Sequence, residues 1–558
     1  MMEPMDLLTR VDALKTAYGG DAAERKLQLL GEIDRHVAGS ARDVLRLHEF
    51  LCFLRAYPDS PQVLDLTVRL LDTFHRRADL RRHRRALADT GVAGTTIQSV
   101  FFWFTARWLA TRFPDRLTID WPELDSGTNL ERLLPLVLPY AESPTLEQTD
   151  MPLRRLIARL KGPGETDAAF LTRRFEQIHP TSFGREILYE GLRIPMTLAP
   201  GPGAPSRTRA ACTLGPPRFQ TRPLDRSRPN LRVACRRPPL RVRHVTPDDA
   251  DRLIDLARDA MVLRARDLDN FIHADRRDVR VYQFEDGLSF ICYGLTPERR
   301  LLVESVYGML TLKNGVPIGY VLASGLFQSS EVMYNVFETF RGGESARVYG
   351  RVLAMVRHLF GADTFAVDPF QLGHDNREGQ QSGAFWFYYK LGFRPVDAAV
   401  RRLVREEIRR LARHPHERST PRTIHRLAAA YMFLRTAGMR RDVLGELSPG
   451  DIGLGISRSL AERFGGDRER GVRTCVREAA TITGVRTFTG WTPAERLAWE
   501  RWSPLVVALP GLDRWPAADR RALVGVVRAK GGRRESEYVR RFDAHPRLRV
   551  AMLRLAAP

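Results

Sequence analysis

Between Tyr307 and Leu322 the chain follows strand periodicity, with Tyr307, Met309 and Thr311 on one side of Lys313-Asn314-Gly315-Val316 and Ile318, Tyr320 and Leu322 on the other. Asn-Gly takes the positive φ angles of a two-residue turn, so the pattern predicts an antiparallel hairpin. A further β run, Val332-Met333-Tyr334-Asn335-Val336-Phe337, stops at Arg341-Gly342-Gly343. Val348, Val352, Met355, Val356 and Leu359 then recur at helical spacing, and Gly361 closes the segment. Thr364-Phe365-Ala366-Val367 reads as the next strand. A polar loop from Gly373 to Gly379 leads into an aromatic helix around Ala384 to Leu391.

The flanks are patterned differently. Residues 1–195 read as helices joined by capped turns: Ser60-Pro61 opens one with Leu64, Val68, Leu71 and Phe74 along a face, and Lys161-Gly162-Pro163-Gly164 breaks another before Thr166 caps the next. Residues 196–240 are rich in Pro, Gly and Arg, where regular structure fails because proline lacks a donor, so they form a linker or an arm laid over a neighbour. Residues 241–400 hold the strands, and 401–558 read as helical, with an Arg-rich helix from Ala398 to Ala412 and a capped start at Trp491-Thr492-Pro493-Ala494-Glu495. The expected fold class is α+β: a central mixed β-sheet domain between an N-terminal all-α domain and a mostly α C-terminal region.

Three features resemble the GNAT (N-acetyltransferase-like) acyltransferase superfamily over roughly residues 240–400. These are Arg341-Gly342-Gly343-Glu344-Ser345-Ala346 opening a helix, Tyr388-x-Lys390-Leu391-Gly392-Phe393 downstream, and a strand entering a helix at Val242 to Ala250, with Thr246 as N-cap and Pro247 at the first helical position. The resemblance implies a mixed sheet with a splayed pair of central strands. It also implies acetyl-CoA or another acyl-CoA as co-substrate, with its pyrophosphate held by N–H groups at the helix start, where aligned peptide dipoles favour anions. Arg341, Gly342, Gly343, Ser345, Ala346, Gln381 and Ala384 would contribute to that binding, and the backbone of Asn335, Val336 and Phe337 would serve the carbonyl oxygen. Glu344 stands where the family's first motif glycine would be, and a carboxylate there opposes a pyrophosphate.

The implied reaction transfers an acyl group, acetyl in the simplest case, to an amine of a small molecule or protein. It needs a base, donors for the oxyanion and an acid for the thiolate. Tyr388 matches the phenolic acid; Glu338 is the first candidate base, and His374 or Asp375 the second.

Composition adds limits. At 558 residues the chain is long enough for about three domains. A formal charge of +22 invites a nucleic-acid reading, but only six of the 88 basic residues are lysine, which points to a GC-rich coding bias. Five widely spaced cysteines without a Cys-x-x-Cys pair suit a reduced, cytoplasmic protein, and Met1 to Asp6 has no leader pattern. The most apolar helix, Ser99 to Leu109, falls short of the ~20 residues of a membrane span. His414-Pro415-His416-Glu417 with His425 lacks a fourth ligand, so no metal is expected. Arg76 to Arg85 reads as a solvated helix face and Phe101 to Trp108 as core. Two alternatives stay open: a catalytically inactive scaffold of the same shape, and a basic factor that touches nucleic acid or aminoacyl-tRNA.

Overall fold

The computed structural model describes all residues except 1–5, 125–128, 143, 145–150, 179–182, 267 and 558. The N-terminal segment on which the absence of a leader was argued lies outside the described residues but for Asp6. The chain is a mixed α/β protein, 53% helix and 14% strand, so the strands form a minority laid into a helical framework. It divides into two compact units, one made of Met1–Pro223, Arg252–Ile272 and Asn314–Pro317, the other of Leu224–Asp251, His273–Lys313 and Ile318–Pro558.

In the first unit, helices Ala22–Arg35, Ala41–Ala56 and Pro61–Thr73 enclose Leu29, Leu30, Ile33, Val44, Leu47, Leu51 and Val63. Ser40 and Ser60 cap two of them, as the Ser60-Pro61 signal predicts. The region is not wholly helical. Three short strands, β1 (Ile97–Val100), β2 (Leu117–Ile119) and β3 (Pro195–Leu198), form a sheet in the order β1-β3-β2. Strands of three or four residues carry too few alternations to show in the sequence. The Pro-rich stretch after β3 lies on the helices as an arm. Buried Arg55 donates to the carbonyls of Thr208 (2.6 Å), Arg207 (2.9 Å) and Ala210 (3.2 Å), satisfying acceptors that no strand reaches.

The second unit is built on a nine-stranded sheet: β4 (Arg241–His244), β5 (Ala274–Gln283), β6 (Leu288–Leu295), β7 (Ser305–Lys313), β8 (Val316–Gly325), β9 (Ser329–Val336), β10 (Thr364–Val367), β11 (Arg394–Pro395) and β12 (Met432–Arg435). Their order is β11-β12-β10-β9-β8-β7-β6-β5-β4. The β7–β8 turn has Asn314 at φ 48° and Gly315 at φ 76°, the left-handed pair that the Asn-Gly signal requires. β9 and β10 are parallel. A parallel pair needs a crossover, and helix Ser345–Phe360 supplies it, closed by Gly361 at φ 79°. Val348, Val352, Met355 and Leu359 of this crossover helix pack with Val332, Phe365 and Val367 of the sheet. β12 lies in the stretch read as helical and joins the sheet between β10 and β11.

Six C-terminal helices from Pro449 to Leu555 share this core through Trp499, Trp502, Tyr538 and Phe542. The expected start at Thr492 is a full capping box with Glu495. One buried polar joint fixes the last helices: the Lys530 ammonium meets Glu535 at 2.6 Å and the Glu304 carbonyl at 2.7 Å, while Arg300 donates to the carbonyls of Lys530 and Gly532 at 2.7 Å. Breaking one side of such a pair strands a charge away from water. Glu535→Ala should therefore lower the unfolding free energy of this unit by about 3–5 kcal/mol, and a Lys530→Met, Glu535→Leu double substitution should recover most of that loss in urea titrations.

Candidate functional site

The parallel pairing between β9 and β10 runs only through Thr364↔Ser329, Phe365↔Ser330 and Ala366↔Glu331. Beyond Glu331, β9 continues to Val336 while β10 ends at Val367, which leaves a gap in the ladder along that edge of β9. The edge of β9 that faces the gap is served by side chains. The Gln371 amide donates to the Tyr334 carbonyl at 3.0 Å, and Arg341 Nε donates to the Val336 carbonyl at 3.2 Å. The Phe337 N–H, one of the groups expected to serve a carbonyl oxygen, donates to Ile318 at 2.9 Å. Backbone alternation turns the neighbouring Val336 N–H the other way, toward the gap.

Glu331 sits where the strands part, its carboxylate held by the Tyr431 hydroxyl at 3.2 Å. Burial first, and the nearby Asp368 carboxylate second, push it up to about 7. Asp368, at the end of β10, is itself raised by burial; its Oδ1 accepts from Gln371 N at 3.0 Å, and its Oδ2 is buried without a partner. Tyr431 is raised as well, by burial and then by Glu331 and Asp368. Sequence reading missed Glu331, because one acid among strand residues carries no pattern.

On the crossover-helix face of the gap lies an aromatic cluster of Tyr334, Tyr349, Phe387, Tyr388 and Phe393. Tyr388, the expected acid, is 2% exposed, with its hydroxyl against the Gln371 side chain. Burial raises its pKa and keeps the phenol protonated. The Tyr349 hydroxyl is fully buried and has no hydrogen-bond partner. Tyr349 Oη and Asp368 Oδ2 are buried without a partner, the kind of exception that a ligand or ordered water resolves.

The turn expected to form a phosphate nest follows β9. A 3-10 turn at Glu338–Phe340 leads to Gly342 in the left-handed region, φ 78°, and the crossover helix begins at Ser345 with no side-chain cap on its first N–H groups. A Cβ at Gly343 would find only the Phe340 carbonyl at 3.4 Å and the edge of Leu224 at 3.9 Å, so backbone approach is open. The Glu344 side chain is buried, 3.2 Å from both Lys313 Nζ and Arg347. Arg341 also pairs with Glu378 of helix Arg377–Ser382.

The other expected residues scatter. Glu338 is exposed on its turn, and Gln381 is exposed at the far end of Arg377–Ser382. Ala384 opens the aromatic helix Ala384–Lys390 behind Gly383. His374 is half-buried, with Nδ1 on the His425 carbonyl at 3.0 Å. In the first unit, Arg81, Arg82, Arg84 and Arg85 are exposed. Phe101 and Trp103 are core, while Phe104 and Trp108 line a cavity of about 230 Å³ with Arg107, Arg258 and Phe271. Arg107 is paired with Glu176 and Arg258 donates to the Phe271 and Ile272 carbonyls, so these guanidiniums serve the cavity's walls.

Comparison of the chain with family models, curated proteins and solved structures finds no match.

The raised Glu331 carboxyl sets a pH signature. Below its ordinary value of 4.5 it is protonated in both folded and unfolded chains, and from there to about 7 only the unfolded chain releases the proton. Its contribution to stability is therefore present at low pH and lost as pH rises through that window, on the order of 3 kcal/mol in all. Denaturant titrations at pH 5 and pH 8 should show Glu331→Gln with a flatter pH dependence than the parent and greater stability at pH 8.

Proposed function

We propose that the chain is a GNAT-like N-acyltransferase that moves an acyl group, acetyl in the simplest case, from a coenzyme A thioester to an amine. The observation that supports this reading is the end of the parallel β9–β10 pairing at Glu331, with the raised carboxyls of Glu331 and Asp368 beside it. A gap between two strands accepts an extended thioester arm, and the nest that follows β9 lies beyond it for a pyrophosphate. Glu344, the departure from the family's motif, supports the reading better than its charge suggests. Lys313 and Arg347 neutralise it, and its carboxylate is buried beneath the helix start.

The reaction then assigns itself to the chain's own groups. Glu331, poised near neutrality, takes a proton from the incoming ammonium or from the attacking amine. The nitrogen forms its bond to the thioester carbonyl carbon, and the oxyanion accepts from the Val336 N–H. As the carbon–sulfur bond breaks, the thiolate leaves with its electron pair and takes a proton from the Tyr388 phenol. Glu331 replaces Glu338 as the base, since Glu338 stands on an exposed turn while Glu331 lies at the gap.

Isothermal titration with acetyl-CoA tests the binding half: the parent should bind, and Gly343→Asp, which puts a carboxylate into the nest, should weaken binding at least about tenfold. Release of free coenzyme A thiol with a panel of amines tests the chemistry. Glu331→Gln should bind acetyl-CoA like the parent and turn over roughly 10²–10⁴ times more slowly. A folded parent that gives no heat with acetyl-CoA removes the proposal.

A further inference from the structure

The loop after Gly373 and helix Pro421–Leu427 of the second unit bring His374, Asp375 and His425 together, with one ligand atom from each within 4.8 Å of the others. Among the described residues this is the one cluster of three His, Cys, Asp or Glu side chains so arranged. His425 does not join His414 or Glu417, the neighbours its sequence position suggests; its ring stacks on His374 with centroids 4.2 Å apart and planes 21° apart.

The tautomers follow from the backbone partners. His374 Nδ1 lies 3.0 Å from the His425 carbonyl, which only accepts, so Nδ1 carries the proton and Nε2 presents a lone pair. His425 Nδ1 lies 3.4 Å from the Asp375 N–H, which only donates, so that nitrogen presents a lone pair too. His425 Nδ1 lies 3.5 Å from one Asp375 oxygen and His374 Nε2 3.8 Å from the other. A cation shared by His374 Nε2, His425 Nδ1 and the carboxylate would bind all three in place of the long Asp375 N–H contact.

The scaffold holds this arrangement. Asp375 is left-handed, φ 51°, a conformation that Asp tolerates better than most residues. Gly373, φ 118°, lets its loop approach Ile424, whose methyl would lie 2.9 Å from a Cβ there. Asn376 ties the same loop to Gly379 N at 3.0 Å and the Phe370 carbonyl at 2.9 Å. The hydrogen bond from His374 Nδ1 is the outer-sphere partner that metal-bound imidazoles commonly have.

We infer that His374, Asp375 and His425 bind a divalent first-row transition-metal ion of the zinc, cobalt or nickel kind. Two imidazoles and one carboxylate suit such borderline ions and not magnesium or calcium, which take oxygen ligands. The side chains are 35%, 78% and 40% exposed, so small rotations can draw them onto one ion, with water completing its shell. The inference is independent of the acyltransferase reading, as none of the three residues acts in the reaction above.

The full-length chain is titrated with Co²⁺, followed by its visible absorption, and with Zn²⁺ in competition with a chromophoric chelator. One equivalent of each should bind and excess Mg²⁺ should not displace it. His374→Ala, His425→Ala and Asp375→Asn should each weaken binding at least about tenfold, and His414→Ala should leave it unchanged. Asp375→Asn keeps the left-handed preference and removes only the charge, so it decides the matter if an alanine variant fails to fold. Absence of cobalt absorption and zinc retention, or binding unmoved by these substitutions, overturns the inference.

Discussion

The second unit depends on a parallel pairing three residues long. Once β9 and β10 are set side by side in the same direction, a connection must pass over one face of the sheet, and here it is a 16-residue helix that buries Val348, Val352, Met355 and Leu359. Had the pairing run the full length of β9, its far end would be an ordinary sheet interior. It stops at Glu331, and the polar backbone beyond must find other partners. Gln371 and Arg341 supply them for two carbonyls, beside the Glu331 and Asp368 carboxylates and the Tyr388 and Tyr431 phenols. The same short pairing thus fixes the crossover and brings strand backbone next to buried titratable side chains.

Charge around the helix start follows a related logic. Glu344 is buried with Lys313 from the end of β7 and with Arg347 one turn along, and Arg347 and Arg351 reach on to Asp286 and Glu285 in the β5–β6 turn. Buried ion pairs add little net stability once desolvation is counted. What they fix is position: the first turns of the helix are tied to two separate parts of the sheet. With its carboxylate so engaged, Glu344 leaves the positive end of the helix to whatever lies outside it.

Local signals were legible and long-range ones were not. The Asn314-Gly315 turn, strand Thr364–Val367, the Gly361 stop and the Thr492 cap all show in the sequence, because each is decided by a residue's own backbone preference or by an adjacent partner. β12 was hidden inside a stretch of helices: Met432-Phe433-Leu434-Arg435 is too short for a period, and its strand state comes from β10 and β11 on either side. The small sheet of the first unit was hidden for the same reason. Of the expected site, the motif stands at a left-handed Gly342 followed by a helix start at Ser345, and Tyr388 is found in an aromatic cluster. Neither position reveals that Gln371 would link Tyr388 to the edge of β9.

Glu331 shows most clearly why a site can escape sequence reading. Nothing in Ser329-Ser330-Glu331-Val332 distinguishes that acid from a solvated strand residue. Its chemistry comes from burial, and then from an aspartate that the chain reaches only after the crossover helix and another strand. A lone buried carboxylate would simply take up a proton, and a lone exposed one would stay ionised. Two of them at the root of a half-open gap, one held by Tyr431 and the other by Gln371 N, lie between those limits, so that proton transfer near neutral pH becomes possible. The raised carboxyl therefore belongs to the point where the β9–β10 pairing ends, and in the proposed reaction Glu331 acquires its role from its position there.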